Sequence, residues 1–292
     1  MKVCYYPGCT LKTKARNLED AGIKALAALG VELDELERWN CCGVVFSLAE
    51  DDLLHLLAPV RDLIRVKDAG YDRVLTLCSM CYNTLSRANL VMRDNEEKRD
   101  TINNFLEEES DYAGDVKVMH ILDFLRDEIG WDKVREQVKV PLKGLKVAPN
   151  YGCTLTRPDE VGIDSADNPT VFHDCIAALG ADPIQFGAAT ECCGSYQVLS
   201  NPEAAETAVE NILDSAQDGG ANSIVSSCPL CEFNIGKKQT ALIEKKPDVK
   251  ELPSFYITQL MAVAFGEDPD SLRFDLNHPG SLPLLKEKID IG

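Results

Sequence analysis

Short apolar runs alternate with stretches of helical spacing along the chain. In the first half KVCYY (2–6) reads as a strand, a short run with β-branched and aromatic side chains. Residues 13–29 carry helical spacing that stops at Gly30, a residue suited to the left-handed turn that closes helices. A short strand is expected at 32–37. Leu53, Leu57, Val60 and Ile64 then share one helical face, and Pro59 among them implies a kink or a later helix start. RVLTL (73–77) reads as a buried strand with a helix opening directly after it. The second half follows the same order, with Asn201-Pro202 as a helix cap and first turn. Strands separated by helices imply parallel sheets, because parallel neighbours need a long crossover.

The two halves are copies. KVCYYPGCTL (2–11) and KVAPNYGCTL (146–155) agree at six of ten positions. LAALG (26–30) matches IAALG (176–180), the two CCG triplets match, and AGYDRVLTLCSMC (69–81) matches GGANSIVSSCPLC (219–231), all in the same order. Such a series marks an internal duplication. The expected division is a first domain over 1–143, a second over 144–269 and a C-terminal arm over 270–292, irregular because of Pro279 and Pro283. The halves differ after the CxxC. The first carries a charged segment, 93–111, read as a solvated helix or loop, with a partner-docking element as the sharper alternative. Each half then has an apolar stretch read as helix, 120–130 and 254–266.

Composition narrows the class. The 292 residues are 45% hydrophobic, enough for a sizeable core, and carry a net charge of −18. That balance argues against nucleic acid or an anionic membrane as partner. No apolar run approaches the ~18 residues that cross a bilayer. The opening MKVCYYPGCT lacks an apolar secretory core, so a cytoplasmic location is expected. In that compartment the twelve cysteines point to metal binding or redox chemistry rather than disulfides.

Ten of the twelve fall into two sets of five. Cys9 is followed after 31 residues by Cys41-Cys42, and after 35 more by Cys78-x-x-Cys81. Cys153 is followed after 38 residues by Cys192-Cys193, and after 34 more by Cys228-x-x-Cys231. Each cysteine group follows an expected strand, so a parallel sheet would bring distant cysteines to one edge. Cys4 and Cys175 align with Ala148 and Ala25 and read as small packing residues. Zinc takes four ligands and leaves the fifth cysteine without a role. Iron–sulfur clusters are held by thiolates; a cubane needs four, so five argue either for a spare cysteine or for a cluster that is not a simple cubane. Spacing leaves both metals open. Gly43 and Gly194 are expected at positive φ, allowing a sharp turn beside a bulky ligand.

The pattern Cx31CCGx34CxxC followed by Cx38CCGx33CxxC, with the YYPGC opening, resembles the tandem CCG-domain family. Within it the chain looks like the B subunits of methanogen heterodisulfide reductases. The resemblance covers nearly the whole chain and implies an α/β fold: two repeated Rossmann-like CCG domains with parallel sheets, related by internal pseudo-two-fold symmetry. It implies that Cys9, Cys41, Cys42, Cys78 and Cys81 hold one non-cubane [4Fe–4S] cluster and Cys153, Cys192, Cys193, Cys228 and Cys231 a second. It further implies a cleft between the domains, where the mixed disulfide of coenzyme M and coenzyme B is reduced to two thiols. The implied partners are two further heterodisulfide reductase subunits, one carrying flavin and one ferredoxin-like, together with a hydrogenase or formate dehydrogenase. Disulfide reduction takes two electrons, and two like clusters would each supply one.

An anionic substrate needs local positive charge. Lys12, Lys14, Arg16 and Arg157 follow the first cysteine of each set near expected helix N-termini and are candidate substrate contacts, with plain surface residues as the alternative. Among His55, His120, His173 and His278, packing or capping is the first reading for His120 and His173. Related tandem CCG proteins pass electrons between a flavoenzyme and a quinone in hydroxy-acid or succinate oxidoreductases, so that role stands as the alternative. Unlike many of those, this chain lacks a ferredoxin-type Cx2Cx2Cx3CP segment.

Overall fold

The protein is described by a computed structural model covering residues 1–44 and 53–289, so the last three positions of the expected C-terminal arm, 290–292, lie outside the described residues. Two four-stranded, all-parallel sheets account for the strands among them. The first contains β1 (Lys2–Tyr5), β2 (Glu32–Glu35), β3 (Arg73–Thr76) and β4 (Lys117–His120), in the order β2-β1-β3-β4. The second contains β5 (Lys146–Pro149), β6 (Asp182–Pro183), β7 (Ser223–Ser226) and β8 (Ser254–Tyr256), in the order β6-β5-β7-β8. Register is equivalent in the two: Cys4 pairs with Val74, and Ala148 with Ile224. The duplicated α/β architecture read from the sequence is therefore present. In each sheet the chain leaves its first strand in one direction to form the second and returns on the other side for the third. That reversal opens a crevice at the carboxyl ends of β1 and β3, and of β5 and β7.

The expected strands are found, but each sheet has a fourth that periodicity does not disclose. β8 occupies the start of the stretch read as helix over 254–266, and β4 ends on the first residue of the stretch over 120–130. They run without a break into helices Ile121–Phe124 and Ile257–Ala264. A three- or four-residue strand continued by an apolar helix leaves one unbroken apolar run, which spacing cannot divide. Helix Arg16–Ala28 starts later than expected because Thr10 first closes a turn, its carbonyl accepting from the amides of Thr13, Lys14 and Ala15. Helix Leu54–Asp68 runs through Pro59, while expected Leu53 is its N-cap. The charged segment forms helix Glu96–Phe105, capped by the Asn95 side chain on the Lys98 amide and burying only Ile102.

The C-terminal segment is not the irregular arm expected from its prolines. It makes two short 3-10 turns, Pro269–Ser271 and Phe274–Leu276, and then helix Ser281–Lys288, with Pro283 in the first helical turn, where a missing N–H is tolerated. The segment also helps bind the halves together. Asn277 Oδ1 accepts from Asn17 Nδ2 of the first half and Gln259 Nε2 of the second, both at 2.8 Å. Asn277 Nδ2 donates to Gln259 Oε1 at 2.9 Å and to Glu232 Oε1 at 3.4 Å. All four residues are buried. Beside them helix Arg16–Ala28 packs on helix Ile257–Ala264. Thr258 Oγ1 donates to the Leu18 carbonyl at 2.9 Å, and a Cβ on Gly22 would lie 2.5 Å from Leu77 Cδ1.

Removing Asn277 would strand several buried polar groups, each costing about 1–3 kcal/mol. Asn277→Leu is expected to destabilise the fold by roughly 3 kcal/mol or more. Urea unfolding followed by circular dichroism checks this, and a loss below about 0.5 kcal/mol would contradict the proposed tie.

Candidate metal centres

The first cysteine of each set lies in the turn just after β1 or β5. The adjacent pairs lie after β2 and β6. Cys78 and Cys228 are the N-cap residues of the helical segments that follow β3 and β7, and Cys81 and Cys231 lie one turn further on. Parallel pairing thus gathers residues more than seventy positions apart at one crevice in each half.

The sulfurs meet as two rows. In the first, Cys41 Sγ lies 3.5 Å from Cys9 Sγ, and Cys42 Sγ lies 3.7 Å from Cys81 Sγ. Cys41 also interacts with Cys42, and Cys81 with Cys78, giving the order 9, 41, 42, 81, 78. The second repeats it. Cys193 Sγ lies 3.4 Å from Cys231 Sγ, Cys192 interacts with both Cys153 and Cys193, and Cys228 interacts with Cys231. All ten expected cysteines are thereby brought together, none in a disulfide. Among the described residues, no three or more His, Cys, Asp or Glu side chains close around a single-ion position. Each row runs inward from the surface. Cys9, Cys41 and Cys192 are exposed and Cys153 is half-buried, while Cys42, Cys78, Cys81, Cys193, Cys228 and Cys231 are buried.

This arrangement explains the adjacent pair. Neighbouring side chains of an extended chain leave on opposite sides, so the contact between the Cys41 and Cys42 sulfurs requires the chain to turn at the pair. Cys41 turns outward to Cys9 and Cys42 inward to Cys81, so the pair links the two ends of the row. Gly43 at φ +77° and Gly194 at φ +84° supply the expected turn. Close approach to sulfur falls elsewhere. A Cβ on Gly8 would sit 2.8 Å from Cys81 Sγ, and one on Gly152 would sit 3.5 Å from Cys231 Sγ. Gly194 instead meets the Ala205 backbone, with a Cβ-to-Cα distance of 2.7 Å. Cysteine spacing does not single out Gly8 and Gly152, although the repeat shows a glycine before the first cysteine of both copies.

Crowded thiols cannot all ionise. Two thiolates about 3.5 Å apart repel by roughly 5 kcal/mol at an effective dielectric near 20. Protons are accordingly shared. Cys42 is held well below the usual thiol range by hydrogen bonds from Cys41 and Cys81, and Cys192 is likewise held down by Cys153 and Cys193. Their partners Cys81 and Cys153 are pushed up by the same bonds and by burial. A row of five thiolates therefore needs positive charge supplied from within it.

The loops that carry the pairs are fixed differently in the two halves. In the first, Asn40 is bonded on every side: its amide donates to Asp62 Oδ1 at 2.8 Å, its carbonyl accepts from Tyr6 Oη at 2.7 Å, and its side chain meets Ala58, Asp62 and Arg65. Burial pushes Asp62 up to about 8. In the second, Arg157 Nη1 donates to the Thr190 carbonyl at 2.7 Å, and Asn234 Nδ2 donates to the carbonyls of Cys193 and Ser195 at 3.0 and 2.9 Å. The loops also touch, Tyr196 Oη donating to the Val44 carbonyl at 3.3 Å. A cavity of about 340 Å3 lies beside them, lined by Val44, Met80, Thr84, Arg87, Thr154 and Tyr196 among others. Four of these stand within one or two positions of a row residue or its glycine, two from each half, and Arg87 supplies a cation that neither spacing nor the repeat reveals.

The other candidates are placed as follows. Lys12 Nζ is held by Glu19 and Glu35 at 2.7 and 2.6 Å. Lys14 is exposed, and Arg16 Nε donates to the Lys12 carbonyl at 3.4 Å. His120 is buried and caps helix Ile121–Phe124, its Nδ1 accepting from the Leu122 amide, and burial pushes it down to about 3. His173 Nδ1 pairs with Tyr151 Oη at 3.1 Å and is likewise lowered by burial. Cys4 and Cys175 are buried in the core, as expected of packing residues.

The family model described as a cysteine-rich domain, CCG, matches residues 3–86 and again 147–236. The 8-methylmenaquinol:fumarate reductase membrane anchor subunit of Wolinella succinogenes is 32% identical, over 94% of this chain and 95% of that protein. The B subunit of the ferredoxin/F420H2-dependent CoB-CoM heterodisulfide reductase of Methanosarcina acetivorans is 29% identical, over 100% of this chain and 98% of that one. A hypothetical protein from Helicobacter pylori shares the fold, with a TM-score of 0.74 at 14% identity over 95% of this chain, which spans 51% of that structure. Among the described residues no helix is long and apolar enough to cross a membrane.

Gly8→Ala would place a methyl group against Cys81 Sγ and strain a left-handed position, costing about 1–2 kcal/mol for the backbone alone. It is expected to lower metal content at one of two sites, whereas Gly152→Ala, with ordinary contact to its sulfur, keeps more. Metal analysis of the two folded variants checks the difference, and equal metal content would contradict it.

Proposed function

The chain belongs to the cysteine-rich CCG domain family, and from that premise we propose that it is an iron–sulfur subunit of an oxidoreductase complex that reduces a small-molecule disulfide to two thiols. The observation that carries this reading is the pair of five-cysteine rows beside one cavity at the junction of the halves. The full-length similarity to the B subunit of a CoB-CoM heterodisulfide reductase supports it. In this proposal each row, Cys9 to Cys81 and Cys153 to Cys231, holds one iron–sulfur cluster of the non-cubane [4Fe–4S] kind. The donor set suits such a group: five sulfurs in a line, from surface to interior, with a glycine cradle at Gly8 that a Cβ would fill. Bound there, the clusters would supply the two electrons that cleavage of one disulfide consumes.

The chain's own residues would do the rest. Val44, Met80 and Tyr196 give the cavity apolar walls, and Tyr196 ties the two pair-bearing loops across it. Arg87 stands exposed on the cavity wall and offers a fixed positive charge to an anionic end of the substrate. The carboxylates already holding Lys12 leave it less able to do so. Electrons would arrive from partner subunits, in the proposal a ferredoxin-like protein fed by a flavoprotein, with a hydrogenase or formate dehydrogenase beyond them. The proposed division into domains 1–143 and 144–269 with a C-terminal segment gives one row to each domain.

A second reading rests on the 32% identity to the fumarate reductase membrane anchor subunit. There the rows would carry electrons between a flavoenzyme and a quinone, with no disulfide. The two readings separate in a stopped-flow experiment on anaerobically reduced protein. The coenzyme M–coenzyme B disulfide should reoxidise it within the mixing series, and a menaquinone analogue should not. The reverse result would favour the second reading. Cys9→Ala and Cys153→Ala, made separately, should each abolish disulfide turnover, and full turnover by either would contradict paired sites. Arg87→Ala should raise KM for an anionic disulfide roughly tenfold with kcat little changed, matching the loss of about 1.5 kcal/mol of charged hydrogen bonding. Steady-state kinetics with anionic and neutral disulfides check this, and an equal loss for both would remove Arg87 from the site.

A further inference from the structure

The two rows are built alike in their sulfurs and unlike in the polar groups behind them. Tyr6 and Asn150 occupy matching positions after β1 and β5. Their backbone amides make the same bond, Tyr6 N to the Leu75 carbonyl and Asn150 N to the Val225 carbonyl, both 2.9 Å. Their side chains therefore leave the backbone at equivalent points. Tyr6 lies close enough to the first row to feel Cys81, Cys42 and Cys41, but its hydroxyl is committed to the Asn40 carbonyl at 2.7 Å. Asn150 is 1% exposed, and neither its Nδ2 nor its Oδ1 has a protein partner among the described residues. A buried amide without partners is costly unless another group satisfies it.

Thr84 and Asn234 form a second matched pair, each three residues past the CxxC. Thr84 Oγ1 turns back to the Met80 carbonyl at 2.8 Å. Asn234 Nδ2 lies 3.6 Å from Cys193 Sγ while also bonding the two loop carbonyls. At both positions the first half spends its donor on backbone, whereas in the second half the Asn234 amide reaches the Cys193 sulfur and the buried Asn150 amide is left without a protein partner among the described residues.

Resting on the reading that each row holds an iron–sulfur group, we infer that the second row is the higher-potential site and that Asn150 and Asn234 are the positioning residues that raise it. Reduction adds negative charge to such a group, and hydrogen bonds to its sulfurs stabilise that charge. Other influences act on both halves. The first buries the carboxyls of Glu19, Asp62 and Asp123 and the second that of Glu232, while in the first Thr10 Oγ1 lies 3.7 Å from Cys9 Sγ. Cys9 is exposed and Cys153 half-buried, a modest difference that acts in the opposite sense. Two similar sites then become ordered, and an electron entering the chain settles on the second half.

The test is a dye-mediated redox titration of the full-length, anaerobically loaded protein, followed by electron paramagnetic resonance. Wild type should show two midpoint potentials, and the upper one should vanish in Cys192→Ala while the lower persists. Asn150→Leu, of similar size without a donor, should lower the upper midpoint and leave the other in place. Asn150→Ser, which keeps a donor, should recover part of the shift. Asn150→Ala serves the same purpose if leucine blocks loading. Coincident midpoints, loss of the upper one in Cys41→Ala instead, or an unmoved upper midpoint in a fully loaded donorless variant would overturn the inference. Iron and acid-labile sulfide, measured on the same samples, separate this failure from that of the parent reading, since a wild type without them never reaches the titration.

Discussion

Side chains that are neighbours on an extended chain point to opposite sides. The cysteine rows turn the chain away from that arrangement, because the sulfurs of each adjacent pair touch. Cys41 meets Cys42 and also reaches Cys9, while Cys42 reaches Cys81, and so the pair joins a surface sulfur to an interior one. Cys192 and Cys193 do the same between Cys153 and Cys231. A pair that looks redundant when counted as ligands to one atom becomes necessary when the sulfurs form a line. The glycine after each pair turns the chain away once the second sulfur is placed.

The sheets make the line possible. The described strands pair in parallel throughout each sheet, so the first, second and third loops of each half open at one edge, and the reversal between β1 and β3 or β5 and β7 leaves a crevice there. The halves are then held in contact by groups that water does not reach. Asn17, Gln259, Glu232 and Asn277 share buried hydrogen bonds, and Ser79 Oγ meets Ser227 Oγ at 2.8 Å beside the ends of β3 and β7. The same contact that stabilises the fold thus also sets the spacing of the two rows.

Much of this was legible in the sequence. The alternation of strands and helices pointed to the parallel α/β architecture, the repeat to two copies of it, and the spacing picked out all ten row cysteines. It also separated Cys4 and Cys175, whose alanine counterparts identify them as packing residues. What escaped has a physical cause in each instance. β4 and β8 merge into apolar helices with no polar break. The tail helix Ser281–Lys288 has its proline in the first turn, where it does no harm. Arg87 lies on the helix after the CxxC, and only folding brings it to the cavity between the halves. Asn150 and Asn234 stand where the first copy has Tyr6 and Thr84, and their difference has meaning only once each hydroxyl is seen bonded elsewhere.

The central claim is that both members of each adjacent pair, with the other three cysteines of their row, surround one extended iron–sulfur group. A crystal structure of the anaerobically purified protein, with anomalous data collected at the iron edge, measures this most directly. Iron density is expected along both rows, with Cys41 and Cys42 each within bonding distance of iron, and Cys192 and Cys193 likewise. Density for a single zinc, or for a four-cysteine group with one member of each pair turned away, would contradict it.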